Sequence, residues 1–203
     1  MKSRIAFVTL AMLACLATAA LYPTARAQDA TTSADEAAWF AVDPVHSAMI
    51  FSINHLGVSI FYGRINNPTG AFRLNHGDPG ASSFTISAKT ENVDTNSANR
   101  DKHIKSSDFF DAKQFPDLTF KSTAVTRSGK TTFAVTGDLT MHGVTKPISI
   151  VIEHIGEKQT RMGYRSGFTT NFTIRRSDFG MGYMVGMLGD EVTLMIGIEG
   201  IKE

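Results

Sequence analysis

The chain has 203 residues, with 20 Lys and Arg against 19 Asp and Glu, and one cysteine, Cys15. That length supports one domain with a sizeable core rather than two, and the near-neutral balance argues against nucleic acid or an anionic membrane surface as the main partner. A lone cysteine allows no internal disulfide and no thiolate metal cage, so packing must hold the fold.

Residues 1–27 read as a secretory leader. Lys2 and Arg4 form the charged start, Ile5 to Ala20 the apolar run, and Ala25-Arg26-Ala27 the small-x-small exit. The run is short of the ~20 apolar residues a membrane span needs. A lipoprotein reading built on Cys15 fits poorly, because apolar residues continue past it. The expectation is export to the periplasm and removal of this segment, which takes the cysteine and three basic residues with it. The remaining 176 residues carry 17 Lys and Arg against 19 Asp and Glu. Residues 28–37 are small and polar, a disordered lead-in to a domain spanning 38–203.

Order is expected from Trp39. Residues 43–54 read as a first strand with Met49, Phe51 and Ile53 on one face. Residues 61–74, broken by Gly63, Pro68 and Gly70, read as a bent second strand, and residues 75–80 as a turn. Phe84, Ile86 and Ala88 alternate with polar residues in the next strand. The stretch from 96 to 114 then changes character: charged residues crowd it until Ile104, Phe109 and Phe110. It reads as a short helical segment that lies on a sheet, capped by Thr95 or Asn96, with a second turn at Ser106 or Ser107 and a stop at Pro116.

Alternation resumes after Pro116. Leu118, Phe120, Ser122 and Ala124 share one face, as do Phe133, Val135, Gly137, Leu139 and Met141. His142-Gly143 opens a turn, and Ile148, Ile150 and Ile152 face one way. Phe168, Thr170, Phe172 and Ile174 follow, and Val192, Leu194, Ile196 and Ile198 close the chain. The pattern is all-β, about eight antiparallel strands with hairpin-length connections and one helical interruption. Glycines inside strands (Gly63, Gly70, Gly137, Gly197) favour a bent, closed barrel over a flat sandwich.

Five pieces in order carry a family resemblance: Asp43-Pro44-Val45-His46-Ser47; Arg100-Asp101-Lys102-His103-Ile104 with Ser107-Asp108-Phe109-Phe110-Asp111; Phe115-Pro116-Asp117-Leu118-Thr119-Phe120; Gly137 to Lys146; and Arg176-Ser177-Asp178-Phe179-Gly180-Met181. Together they resemble the YceI-like family of periplasmic, lipocalin-like, polyisoprenoid-binding proteins, over residues 43–198. The resemblance implies an eight-stranded antiparallel barrel, a helix near one mouth and an elongated apolar pocket for an isoprenoid or other long-chain lipid, without catalytic residues or metal.

On that reading the inward faces supply the lining: Phe51, Ile53, Phe84, Ile86, Phe120, Phe133, Phe172 and Ile174. The competing account of each is an ordinary packed core. The run from Gly180 to Gly189 is too glycine-rich for a helix and too apolar for a plain surface loop. Its Met181, Met184 and Met187 suit an adaptable lip of the pocket, or a loop folded onto the barrel or a second subunit. Arg100, His103 and Arg176, with Lys102, Lys105 and Arg175 nearby, are headgroup candidates for a phosphate or quinone oxygen; their structural alternative is ion pairing with Asp101 and Asp178, or loop anchoring. The six histidines are scattered without metal-ligand spacing, which leaves only a metal site assembled from distant strands as the alternative to none. No Gly-x-Ser-x-Gly elbow is present.

The sequence therefore points to a non-catalytic periplasmic carrier that sequesters an isoprenoid lipid, such as a prenyl quinone or polyprenyl phosphate. The alternative is a self-filled barrel that docks a partner or forms a homodimer through the Met-rich loop. A third reading is a lipid-processing or redox enzyme acting with a membrane cytochrome, for which the sequence offers no nucleophile, dinucleotide loop or haem-attachment pair.

Overall fold

The computed structural model describes residues 37–203, so the leader and nearly all of the lead-in lie outside the described residues. Eleven strand segments follow one another: β1 (Trp39–Val42), β2 (Ala48–His55), β3 (Ser59–Ile65), β4 (Thr69–Arg73), β5 (Ser83–Lys89), β6 (Val93–Asp94), β7 (Asp117–Arg127), β8 (Thr132–Met141), β9 (Val144–Thr160), β10 (Gly163–Arg175) and β11 (Leu188–Lys202). One helix, α1 (Ala98–Ile104), separates β6 from β7. All pairings between these strands are antiparallel, and β1–β11 contact closes the sheet on itself. Three pairs of segments, β1 with β2, β3 with β4 and β5 with β6, are interrupted halves of single strands. The result is an eight-stranded closed barrel.

Each interruption has a local cause. Between β1 and β2 the ladder breaks at Asp43-Pro44, where proline cannot donate to it and the Asp43 carboxylate accepts from Val45 N at 3.0 Å. The predicted first strand is thus split, and its regular part begins four residues earlier, at Trp39. Between β3 and β4, Asn67 takes a positive φ ahead of Pro68. Between β5 and β6 a 3₁₀ turn spans Thr90–Asn92.

That last break positions the helix. At one end of the barrel the ring of strands is complete, whereas at the other β6, paired with β3, and β7, paired with β5 and β8, do not pair with each other, and residues 95–116 connect them. Thr90, fully buried, bolts the insertion down: its N–H donates to Pro116 O at 2.9 Å and its hydroxyl to Phe115 O at 3.1 Å. The expected helical segment over 96–114 shortens to α1. Ser106 explains the stop, because its hydroxyl donates to His103 O at 2.7 Å and competes with the helical ladder; Asp111 then takes a positive φ. Ser97 occupies the N-cap without a side-chain bond, where Thr95 or Asn96 was expected. Asp101 does the capping in reverse, accepting from Thr95 N at 2.8 Å.

One predicted face changes along β7. Leu118 and Phe120 point inward, but the register slips between Ser122 and Ala124. Ala124 is consequently exposed and Val125 buried, because one extra residue in a bulge turns every later side chain over. The His142-Gly143 turn is also tighter than expected. Both residues have positive φ, and β9 starts at Val144 and runs through Pro147.

Buried side chains form two clusters. At the complete end, Phe40, Phe72, Phe84, Phe133, Ile152 and Phe168 belong to a solid plug. Near the helix end, Ile65, Ala88, Leu118, Met141, Phe179 and Met181 form a second, smaller cluster.

Candidate functional site

Between the two clusters lies a cavity of about 440 Å³, within the range of small-molecule sites. Strand alternation builds it. Every second residue of β2, β5, β7, β10 and β11 faces inward, and these residues are almost all aliphatic or aromatic. Of the residues singled out from sequence, Phe51, Ile53, Phe84, Ile86, Phe120, Phe172, Ile174, Met181 and Met184 line it. Two do not. Phe133 is completely buried in the plug, because it stands at the closed end of β8, below the void. Met187 is 54% exposed, because the turn that ends in its N–H bond to Met184 O carries it past the rim. Met49, Leu194 and Ile196 also line the void. They share faces with the named residues, and alternation alone was sufficient to find them.

Glycine thins the wall where the rings lie. Phe51 rests on Gly63 across the β2–β3 pair, and a Cβ there would come within 2.3 Å of ring Cζ. Phe120 rests on Gly137 in the same manner, at 2.5 Å. The rings are thereby drawn back to the wall and the lumen stays clear.

Polar groups gather at the helix end. Arg100, His103 and Arg176 all reach the cavity wall, but their bonding separates them. The Arg100 guanidinium lies 4.2 Å from the Phe61 ring centroid, and its Nε donates to the Thr95 hydroxyl at 2.8 Å. His103 Nε2 pairs with Asp108 Oδ2 at 2.8 Å. Its ring meets Phe109 and Tyr183 edge-on at 5.1 and 5.6 Å, and Phe109 meets Tyr183 at 5.4 Å. This trio ties the segment after α1 to the Met-rich loop across the mouth.

Arg176 is a loop anchor. It is only 4% exposed, and it donates to the carbonyls of Met181 (2.6 Å), Tyr183 (2.7 Å), Gly189 (2.9 Å) and Leu188 (3.4 Å). Burial pushes its guanidinium below the usual arginine range, and Asp190 partly offsets that. Of the two structural alternatives for Arg176, ion pairing with Asp178 and loop anchoring, the structure forms the second. Asp190 instead accepts from Ser177 N (3.0 Å) and Ser177 Oγ (2.7 Å). The sequence offered loop anchoring without its partners, since carbonyls leave no residue signature.

Chemically, the site is an oil-lined tube with a plugged floor and a cationic, aromatic rim. Comparison with known proteins places it. The YceI-like domain matches residues 40–200 of this chain. A UPF0312 protein of Azotobacter vinelandii is 41% identical over 159 residues, covering 78% of this chain and 83% of that protein. The crystal structure of Burkholderia cenocepacia BcnA superposes with a TM-score of 0.72 at 20% identity, over 78% of this chain and 98% of that one. A polyisoprenoid binding domain from Saccharophagus degradans superposes with a TM-score of 0.63 at 11% identity, over 83% of this chain and all of that one. With its profile matched across nearly the whole barrel and a relative above 40% identity, the chain belongs to the YceI-like domain family.

Proposed function

We propose that this protein is a carrier that sequesters an isoprenoid or other long-chain lipid inside the barrel. YceI-like proteins are characteristically periplasmic or secreted, non-catalytic binding proteins, and the similarly folded Saccharophagus degradans domain is described as polyisoprenoid binding. The observation that carries the reading is the cavity itself: about 440 Å³ of space walled by apolar side chains, with its cations confined to one end. A prenyl chain entering it gains roughly 25 cal/mol for each Å² removed from water, less the cost of ordering the chain. Arg100, whose Nε and Nη2 donate to Thr95, and His103, whose Nε2 pairs with Asp108, stand at the rim where a phosphate or quinone oxygen of the headgroup would rest, and the donors of Arg176 are spent on the loop.

The void weighs against a self-filled barrel. Leu56, Val58, Ile60, Val185 and Met187 are exposed, and these apolar side chains from the β2–β3 hairpin and the Met-rich loop favour a rim that meets another surface during transfer, whether a second copy or a membrane partner. The test is direct. Organic extraction of the purified protein followed by mass spectrometry should return a prenyl or long-chain lipid, and a fluorescent prenyl probe should bind and be displaced by unlabelled lipid. Leu194→Trp, which fills the lumen, should abolish probe binding while the protein stays folded. An extract free of lipid from a protein that also refuses the probe overturns the proposal.

A further inference from the structure

The plugged end of the barrel carries a second constellation, remote from the mouth. His76 comes from the turn between β4 and β5, while His154 and Glu157 come from β9, which is not a neighbour of either strand. Nε2 of His76 and Nε2 of His154 each stand 3.6 Å from the same atom, Glu157 Oε1, and the two rings are 4.7 Å apart. A separation of 3.6 Å is too long for a hydrogen bond. It matches the spacing between ligands of one tetrahedral ion, since bonds of ~2.0–2.2 Å set ligand atoms ~3.3–3.6 Å apart.

The surroundings fit that role. Ligating carboxylates are normally oriented by outer hydrogen bonds, and Glu157 has them: the Tyr164 hydroxyl donates to Oε2 at 2.9 Å and the buried Ser166 hydroxyl to Oε1 at 3.1 Å. The Ser166 oxygen also lies 3.2 Å from His154 Nε2, a contact that an ion on that nitrogen would replace. The turn that carries His76 is fixed in place, because Arg127 donates to its carbonyl at 2.6 Å and Asn75 Oδ1 accepts from Gly77 N and Asp78 N at 2.9 and 2.8 Å. His76 itself is half-exposed and has room to close onto an ion.

A second gathering of similar donors shows what is distinctive. Asp43, His46 and Glu199 also converge, but the Arg165 guanidinium already bridges the two carboxylates. Among the described residues, Glu157 has no Lys or Arg partner; its only basic neighbours are the two imidazoles.

We propose that His76, His154 and Glu157 form a binding site for a divalent transition-metal ion of the zinc type, with a fourth position open to water. Two nitrogens and one carboxylate oxygen are a donor set suited to such an ion. Occupied, the site staples the β4–β5 turn to β9 across the barrel floor, independently of the lipid cavity.

The experiment uses the untagged purified protein, stripped with EDTA and titrated with zinc chloride by calorimetry, with thermal melts in parallel. The expected result is one equivalent bound and a melting temperature raised by several degrees. His76→Ala and Glu157→Gln should each weaken binding at least tenfold and remove the thermal shift, while His46→Ala leaves both intact. Glu157→Gln keeps the side chain's shape, its one oxygen accepting from a neighbouring hydroxyl and its amide donating to the oxygen of the other, so loss of binding in a variant that melts like the metal-free wild type reports loss of a ligand rather than loss of fold. Absence of stoichiometric binding, or binding that survives both substitutions, overturns the proposal.

Discussion

The ring of Phe51 lies directly on the bare backbone of Gly63, its partner across the β2–β3 pair. A methyl group at residue 63 has nowhere to go but into that ring, which must then swing toward the lumen. Gly63→Ala is expected to destabilise the protein by about 1–3 kcal/mol, as overpacking does, and to weaken prenyl-probe binding at least fivefold. Adding Phe51→Leu to that variant should restore much of the binding, because the smaller side chain clears the methyl. Paired melts and fluorescence titrations check both outcomes.

Arg176 gathers four carbonyls of the Met-rich loop onto one guanidinium. Arg176→Lys keeps the charge but replaces a planar fork with a single ammonium, which cannot reach diverging acceptors. Carbonyls left buried and unpaired cost about 1–3 kcal/mol each. The variant should show faster amide exchange across residues 180–189 and faster release of a bound prenyl probe, with exchange in β8 and β9 unchanged. Hydrogen-exchange mass spectrometry and stopped-flow displacement measure the two effects.

The bulge in β7 sorts two adjacent residues. Val125 packs in the plug while Ala124 faces solvent. Val125→Ala should cost about 2 kcal/mol through the cavity it leaves, whereas Ala124→Val should change stability by less than about 0.5 kcal/mol. Urea unfolding of the two variants tests the register; an inverted order would place the bulge elsewhere.

The same pair marks where sequence reading succeeds and where it stops. Period-two alternation carried the barrel and the faces holding Phe51, Phe84 and Phe172, because the side-chain repeat of a strand depends only on the strand. It failed at Ala124, since a bulge inserts one residue with no compositional mark. It also failed at Phe133: alternation says inward but not how deep, and depth divides plug from cavity wall. The helical stretch overran because Ser106 and Asp111 act through local backbone bonds that charge and hydrophobic pattern do not encode. Arg176 was visible as a cation, yet its partners are carbonyls, which every residue has. His76, His154 and Glu157 are brought together only by barrel closure, as their sequence spacing shows no ligand motif.

Asp43 links the β1–β2 break to β10. Its Oδ2 accepts from Arg165 Nη1 at 2.7 Å and pairs with His46 Nδ1 at 2.8 Å, and Arg165 also pairs with Glu199. The Arg165 guanidinium first, and His46 second, hold the Asp43 carboxyl well below the usual carboxylate range, against the opposing effect of burial. An unfolded Asp titrates near ~3.9, so between the folded and unfolded values the unfolded chain binds the extra proton, and stability rises with pH across that window. The contribution is complete above about pH 5 and is lost as the pH falls below ~3.9 toward the folded value. Asp43→Asn, similar in size, should therefore cost about 2–3 kcal/mol at pH 7, the worth of a charge-assisted hydrogen bond. The gap between wild type and variant should hold down to pH 5 and narrow steadily toward pH 3. Urea unfolding at half-unit pH steps gives the comparison, and parallel curves for the two proteins over that range would show that Asp43 does not carry the acid sensitivity.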